Sequence, residues 1–256
     1  MRGLEGKGIL ISGGTSGIGL ATARRFLDEG SRVFVGGVDD AELAAALTSL
    51  NDGLRGSGPA PGGAVADVGV EADVVTFVEA AAASLGRIDV LINNAGIARK
   101  ARFLDIDVAA WDRTMAVNLR GMFLVAQAVA RSMAADGRGG VIVNMASTNA
   151  LGGEEEFADY NASKGGVLQL TRTMAVELGG DGIRVNCLCP GFIDTPLNAA
   201  LGSEDDHRAY ERDKIPLGRR GRADEVAAAY AFLASDDASF IHGAALVIDG
   251  GQTAVM

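Results

Sequence analysis

Seven short apolar runs, separated by stretches of helical patterning, constrain this 256-residue chain more than anything else in it. The runs fall at residues 7–12, 32–37, 64–68, 88–93, 140–147, 184–188 and 244–249, and helical patterns at 20–27, 40–47, 71–85, 111–133, from Tyr160 onward, and 223–234 lie between them. Near-continuous apolar character leaves a strand no solvated face, so each run must be covered on both sides. Strand and helix in alternation then predict a doubly wound parallel sheet with helices on both faces, an α/β fold of Rossmann type. Ligands of such sheets bind in the crevice beyond the carboxyl ends of the strands. A hydrophobic content of 48% over this length supplies core for one domain spanning residues 1–256.

Composition narrows the function classes. A formal net charge of −10, spread without a basic block, disfavours nucleic acid and anionic membrane as partners. Apolar runs of eighteen residues and a signal-peptide pattern are both missing from the sequence, so a soluble cytoplasmic protein is expected. Cys187 and Cys189 lie two apart in an apolar segment and read as buried core thiols, not metal ligands. His207 and His242 stand apart from each other and from any Ser-Asp pattern, which leaves nothing to build a hydrolase triad or a zinc site.

The first strand runs into Gly13-Gly-Thr15-Ser16-Gly17-Ile18-Gly19 and then a helical stretch. Strand, glycine turn and helix N-terminus are the parts of a dinucleotide site, because glycines let a pyrophosphate approach the backbone and free helix N–H groups favour its charge. The spacing is G-x-x-x-G-x-G. Farther on, Ser147 ends an apolar strand, and Tyr160 and Lys164 are four apart on one helix face. An ammonium beside a phenol favours the phenolate and brings it toward the working range of a general acid or base. Taken alone, the Tyr-x-x-x-Lys pair reads as a half-exposed helix face. Asn118 sits inside a helical pattern where asparagine is a poor choice, and a side chain capping a neighbouring backbone group would account for it.

Further landmarks follow other strands: Asp67-Val68, Asn93-Asn94-Ala95-Gly96, and Pro190-Gly191 with Ile193 and Thr195 behind it. The Gly/Pro-rich stretch 56–63 reads as a solvent loop, and the polar, weakly patterned residues 197–216 suit a mobile lid over the site, within a lid segment of 192–216.

With these residues in hand, the chain resembles the short-chain dehydrogenase/reductase family along nearly its whole length. The resemblance is carried by Gly13-x-x-x-Gly17-x-Gly19, Asn93 to Gly96, Asn118, Ser147, Tyr160-x-x-x-Lys164 and Pro190-Gly191, in the family's order. It implies an oxidoreductase moving hydride between a nicotinamide cofactor and an alcohol/ketone pair. Tyr160 would be the general acid/base, Ser147 would hold the substrate oxygen, Lys164 would bond the nicotinamide ribose and lower the tyrosine pKa, and Asn118 would hold a relay water. Gly13, Thr15, Ser16, Gly17, Ile18 and Gly19 would cradle the cofactor, Asp67 and Val68 its adenine, Asn94, Ala95 and Gly96 its ribose region, and Pro190, Gly191, Ile193 and Thr195 its carboxamide end. The resemblance also implies a homotetramer or homodimer built on the helices around Asn118 and Tyr160 and on the C-terminal strand.

Gly37 and Val38 occupy the positions where NAD users of the family carry an acid and many NADP users an arginine, while Asp39 lies twenty residues after the last motif glycine. No cation faces a 2′-phosphate and two carboxylates, Asp39 and Asp40, stand nearby, so NAD is expected, with Asp39 at the ribose. Glu154-Glu155-Glu156 reads as a solvated surface run; an inward-facing member would disfavour acidic substrates and favour a neutral polyol, cyclic alcohol or amine-bearing ketone. The expected substrate is a small alcohol or ketone. An NADPH-dependent 3-oxoacyl reductase is the same-class alternative, and a non-catalytic cofactor-binding sensor or scaffold is the other, against which the intact Asn118, Ser147, Tyr160 and Lys164 set speaks.

Overall fold

The computed structural model describes residues 1–54 and 59–255. Strands β1 (Gly8–Ser12), β2 (Arg32–Gly37) and β3 (Gly62–Val65) alternate with helices α1 (Gly17–Asp28), α2 (Asp40–Asp52) and α3 (Glu71–Leu85). After β4 (Val90–Asn93) come α4 (Val108–Met115), a π-helical turn (Ala116–Gly121) and α5 (Met122–Asp136), then β5 (Gly140–Met145), α6 (Ala158–Leu178) and β6 (Ile183–Pro190). The last third holds a two-residue strand β7 (Ile193–Asp194), short helix α7 (Pro196–Ala199), α8 (Glu204–Lys214), a second two-residue strand β8 (Gly221–Arg222), α9 (Ala223–Ala234) and β9 (Ala245–Ile248).

Seven strands form one parallel sheet in the order β3-β2-β1-β4-β5-β6-β9. The order reverses between β1 and β4, which opens a crevice at their carboxyl ends. Side-chain alternation divides β1 between two cores: Ile9 and Ile11 join Phe26, Val226 and Tyr230 under α1 and α9, while Leu10 joins Phe77, Val125 and Met133 under α3 and α5. Both faces are therefore dry, as the continuous apolar runs require. Cys187 and Cys189 are free thiols inside the first of these cores.

Three elements depart from the sequence reading. β3 begins at Gly62, inside the stretch taken as a solvent loop, because a Cβ on Gly62 would meet the Phe34 ring at 2.7 Å and one on Gly63 the Leu43 side chain at 2.7 Å. Those glycines permit close packing and are not loop punctuation; residues 56–58 of the expected loop lie outside the described residues. β3 ends at Val65, so Asp67 and Val68 follow it instead of closing it. The helical pattern 111–133 is interrupted by the π turn, which carries Asn118. Finally, residues 204–214 are helical, with a capping box in which the Ser203 side chain accepts from Asp206 N and the Asp206 side chain accepts from Ser203 N.

Candidate active site

A cleft of about 320 Å³ lies over the β1/β4 reversal. Its floor is the glycine turn. Gly13 (φ 64°) and Gly17 (φ 50°) adopt the left-handed region, and a Cβ on Gly19 would fall 1.9 Å from Gly13 O, so the third glycine permits helix-to-strand packing without facing the cleft. Thr15, Ser16 and Ile18 line the cleft beside Gly13 and Gly17. Ser16 occupies the N-cap of α1 without bonding to it through its side chain, which leaves the first-turn N–H groups free for an anion.

The neighbouring strand ends complete the walls. Asn94, Ala95 and Gly96 line the cleft, and Asn94 Nδ2 donates to Gly13 O at 2.8 Å, tying the end of β4 to the glycine turn. Asp67 and Val68 line the opposite wall; Asp67 pairs with Arg113 of α4 at 2.9 Å, a cation that sequence reasoning missed. Pro190, Gly191, Ile193 and Thr195 close the far end.

Tyr160 and Lys164 project from one face of α6 into this cleft, with the Lys164 ammonium 5.5 Å from the Tyr160 ring centre. Lys164 is buried, 2% exposed, and donates to Met145 O at 2.9 Å. Ser147 Oγ donates to Asn149 Oδ1 at 3.0 Å. Asn118 is wholly buried behind the wall: its Oδ1 accepts from Ile97 N and its Nδ2 donates to Ile97 O, both at 2.8 Å, and Nδ2 also reaches Ser163 Oγ at 3.1 Å. Backbone capping therefore does account for that asparagine.

A family model described as Enoyl-(Acyl carrier protein) reductase matches residues 13–253. A cis-4-hydroxycyclohexanecarboxylate dehydrogenase of Sinomonas cyclohexanicum is 43% identical over 247 residues, which is 96% of this chain and 96% of that protein. A D-threitol dehydrogenase of Mycolicibacterium smegmatis is 43% identical over 258 residues, 98% of this chain and 94% of its own. The crystal structure of a 3-ketoacyl-(acyl-carrier-protein) reductase from Brucella melitensis complexed with NADH superposes with a TM-score of 0.88 at 37% identity, covering 98% of this chain and 99% of that one. The chain belongs to the short-chain dehydrogenase/reductase family.

Membership makes the protein a nicotinamide-dependent oxidoreductase of alcohol and ketone groups. The cleft fits such a cofactor on its own geometry: the glycine floor, the uncapped α1 terminus and the Tyr160-Lys164 pair line one continuous wall.

Two expectations from sequence need correction. Asp39 is absent from the cleft wall: it caps α2, accepting from Glu42 N at 2.8 Å. Glu42 takes its place, lining the cleft beside Val38 and accepting from Thr15 Oγ1 at 3.4 Å. The acidic run 154–156 is not uniformly solvated either. Glu155 and Glu156 are exposed, but the backbone turns at Glu156 (φ 66°) and Glu154 points inward, where its Oε2 accepts from Asn149 Nδ2 at 3.1 Å.

The electrostatics also run opposite to the expectation for the phenol. Burial pushes the Tyr160 hydroxyl up to about 12, the Ser147 hydroxyl pulling it back and the Glu154 charge adding to the rise. Burial pulls the Lys164 ammonium down to about 8, with Cys189 opposing. Burial moves each group toward its neutral form, and the ammonium keeps its charge at pH 7, with its donor directed at Met145 O.

A base whose folded-state pKa lies below its unfolded value holds fewer protons when folded, so stability rises with pH between the two values. The cost of the charged Lys164 is full below about 8 and vanishes above 10.5. Each tenfold change in acidity is about 1.4 kcal/mol, which caps the cost at about 3 kcal/mol, less about 1 for the bond to Met145 O. Lys164→Met should therefore stabilise the cofactor-free protein by about 2 kcal/mol at pH 7, and the gain should disappear by pH 10. Chemical denaturation of both proteins at the two pH values checks this; equal stability at pH 7 would show that the ammonium carries no burial cost.

Proposed function

We propose that the protein transfers hydride between NAD and a neutral secondary alcohol or its ketone, with Tyr160 as general acid/base. The observation that carries this reading is the placement of Tyr160 and Lys164, one turn apart on α6, on the same cleft wall as the glycine turn. When bound, the nicotinamide takes or gives the hydride and, oxidised, brings a positive charge into the cleft. Tyr160 Oη takes the alcohol proton in oxidation and returns it in reduction. Ser147 Oγ, which can turn from Asn149, holds the substrate oxygen beside that phenol. Lys164, seated on Met145 O, would hold the nicotinamide ribose, and its charge together with that of the oxidised cofactor favours the phenolate that accepts the alcohol proton. Asn118 fixes the Ile97 backbone and holds the relay water there. Residues 192–216, with α7 and α8, form the lid over the substrate.

NAD preference rests on Glu42 and on the lack of a cation at Gly37 or Val38. An added positive charge belongs at Val38, which is 65% exposed on the cleft edge; a Cβ at Gly37 would meet Thr15 Cγ2 at 2.4 Å. Exposed Val108 and Phe123 on α4 and α5, and Phe240 and Val247 around β9, support burial between copies in a homotetramer. No helix of the described residues is long and apolar enough to cross a membrane, which supports a cytoplasmic location.

Tyr160→Phe should bind NADH with near-native affinity by fluorescence titration yet lose turnover by roughly three orders of magnitude or more, the scale of a lost general acid/base. Near-native turnover would remove Tyr160 as the proton carrier. Val38→Arg combined with Glu42→Gln should move the NADP/NAD ratio of kcat/KM toward NADP by about tenfold or more, equivalent to about 1.4 kcal/mol; an unmoved ratio would place the adenosine ribose elsewhere. Light scattering reads the assembly and cell fractionation the location, and a monomer or a membrane-bound pool overturns the respective part.

A further inference from the structure

Beside the reacting groups lies a second cavity of about 110 Å³, joined to the main cleft through Gly191 and Asn198, which line both. One side is aromatic: Phe192 packs against His207 at 5.1 Å and Tyr210 at 5.2 Å between ring centres. The polar groups on the rest of its wall are unevenly matched. Gln252 Nε2 donates to the Tyr210 hydroxyl at 2.7 Å, but Gln252 Oε1 is buried with no hydrogen-bond partner among the described residues. Glu154 has one carboxylate oxygen on Asn149 Nδ2, and its backbone carbonyl accepts from Asn161 Nδ2 at 2.8 Å. Both side chains line the cavity, Gln252 Oε1 as the acceptor without a partner and Glu154 beside the Tyr210 hydroxyl, whose hydrogen bond with that carboxylate holds the phenol up. The charge of Glu154 is felt at both phenols, adding to the upward shift that burial imposes on Tyr160 and Tyr210. Lys100 stands exposed at the rim over the Phe157 ring, 6.0 Å from its centre, and Asp206 lines the cavity with Glu154, so the wall carries two carboxylates against one ammonium.

An occupant that satisfies this cavity brings hydroxyl donors on a small carbon frame that lies against Phe192. It brings no anionic group, since the two carboxylates, Glu154 and Asp206, outnumber Lys100 on the wall. An anionic group at the inner end would meet a carboxylate where low dielectric strengthens the repulsion.

We propose that Glu154, with Gln252 Oε1, is the specificity-determining pair of this protein, accepting a second hydroxyl of a neutral polyol or cyclic diol remote from the reacting carbon and rejecting a carboxylate in that place. This rests on the reading of Tyr160 and Ser147 given above, and it deepens that reading by naming the substrate class. Asn149 couples the two halves, because it accepts from Ser147 Oγ and donates to Glu154 Oε2. The group that selects the remote hydroxyl thereby also orients the serine that holds the reacting oxygen.

Three ring probes that differ only opposite the reacting carbon test the pair with the NAD-loaded enzyme: cyclohexanol, cyclohexane-1,4-diol and 4-hydroxycyclohexanecarboxylate. The expected order of kcat/KM is diol, then cyclohexanol, then carboxylate, with the diol ahead of the carboxylate by about tenfold or more, the discrimination available to a site built for a hydroxyl. Glu154→Gln should lower the diol and raise the carboxylate, moving their ratio by about tenfold or more, and Gln252→Leu should lower the diol chiefly through KM. A wild-type preference for the carboxylate, the substrate class named by the Sinomonas relative, overturns the proposal. So does a Glu154→Gln variant in which all three rates fall together, for then the carboxylate only holds Asn149. If wild type turns over none of the probes, the Tyr160 reading fails; calorimetry on the NADH-loaded protein then decides the pair separately, with diol binding ahead of carboxylate supporting it and the reverse removing it.

Discussion

A row of buried polar side chains crosses the sheet at the carboxyl ends of its central strands. Ser12 Oγ donates to Asn93 Oδ1 at 3.3 Å, Asn93 Nδ2 to Asn144 Oδ1 at 3.3 Å and to Met122 O at 2.8 Å, and Asn144 Nδ2 to Thr171 Oγ1 at 3.0 Å. All four residues are at most 2% exposed, where an amide without partners is strongly destabilising and a satisfied network is specific. Ser12, Asn93 and Asn144 are also register partners, so a one-residue slip of β1, β4 or β5 would break the row and turn apolar side chains out of both cores. The row holds the three strand ends level. The glycine turn, residues 94–96 and the Met145-Ala146 stretch at the end of β5 follow from those ends, which is why one cleft receives them all, with Ser147 next in the chain.

The parts of the site that were legible in the sequence are those whose geometry is set by their immediate neighbours in the chain. Gly13 and Gly17 are needed at positive φ, and Tyr160 and Lys164 share a helix face, whatever the rest of the fold does. Side chains whose direction depends on tertiary packing were not legible: Arg113 comes from α4, Tyr210 from α8 and Gln252 from beyond the last strand, and nothing in their local sequence distinguishes them. The Asp39 error was avoidable. Asp39 followed three residues later by Glu42 is the signature of a helix start, in which the first acid caps and the second is free to point elsewhere. Ser203 and Asp206 carry the same signature, and it would have turned the weakly patterned lid into a helix. The fold itself was readable almost throughout because continuous apolar strands admit few alternatives; β3 was blurred only because its two glycines serve packing while resembling a loop.

Burial explains why the reacting pair needs more than its own two members. A half-buried phenol and a buried ammonium are each shifted toward neutrality by desolvation, and the ammonium's donor is directed at Met145 O and not at the phenol. On the function proposed above, the fold presents a proton-transfer pair whose reactive form depends on charge that its ligands would bring. Local stability is given up for that responsiveness, the common arrangement where a buried ionisable group belongs to a site instead of a core.

The same logic organises the two ends of the cleft. Glu42 and Glu154 are carboxylates on the walls of the two cavities, the first exposed and accepting from Thr15 Oγ1, the second half-buried and accepting from Asn149 Nδ2. A carboxylate so held accepts from a hydroxyl and repels an anion, and it does both more strongly where solvent is excluded. On the function proposed above, selection of a ribose hydroxyl over a 2′-phosphate and of a polyol hydroxyl over a carboxylate would be one device used twice. Because the inner device is tied to Ser147 through a single amide, a substrate that leaves Glu154 unsatisfied also leaves the serine less well oriented. Discrimination at that end must appear in the chemical step as well as in binding, since the orientation of the reacting oxygen is what the mismatch disturbs.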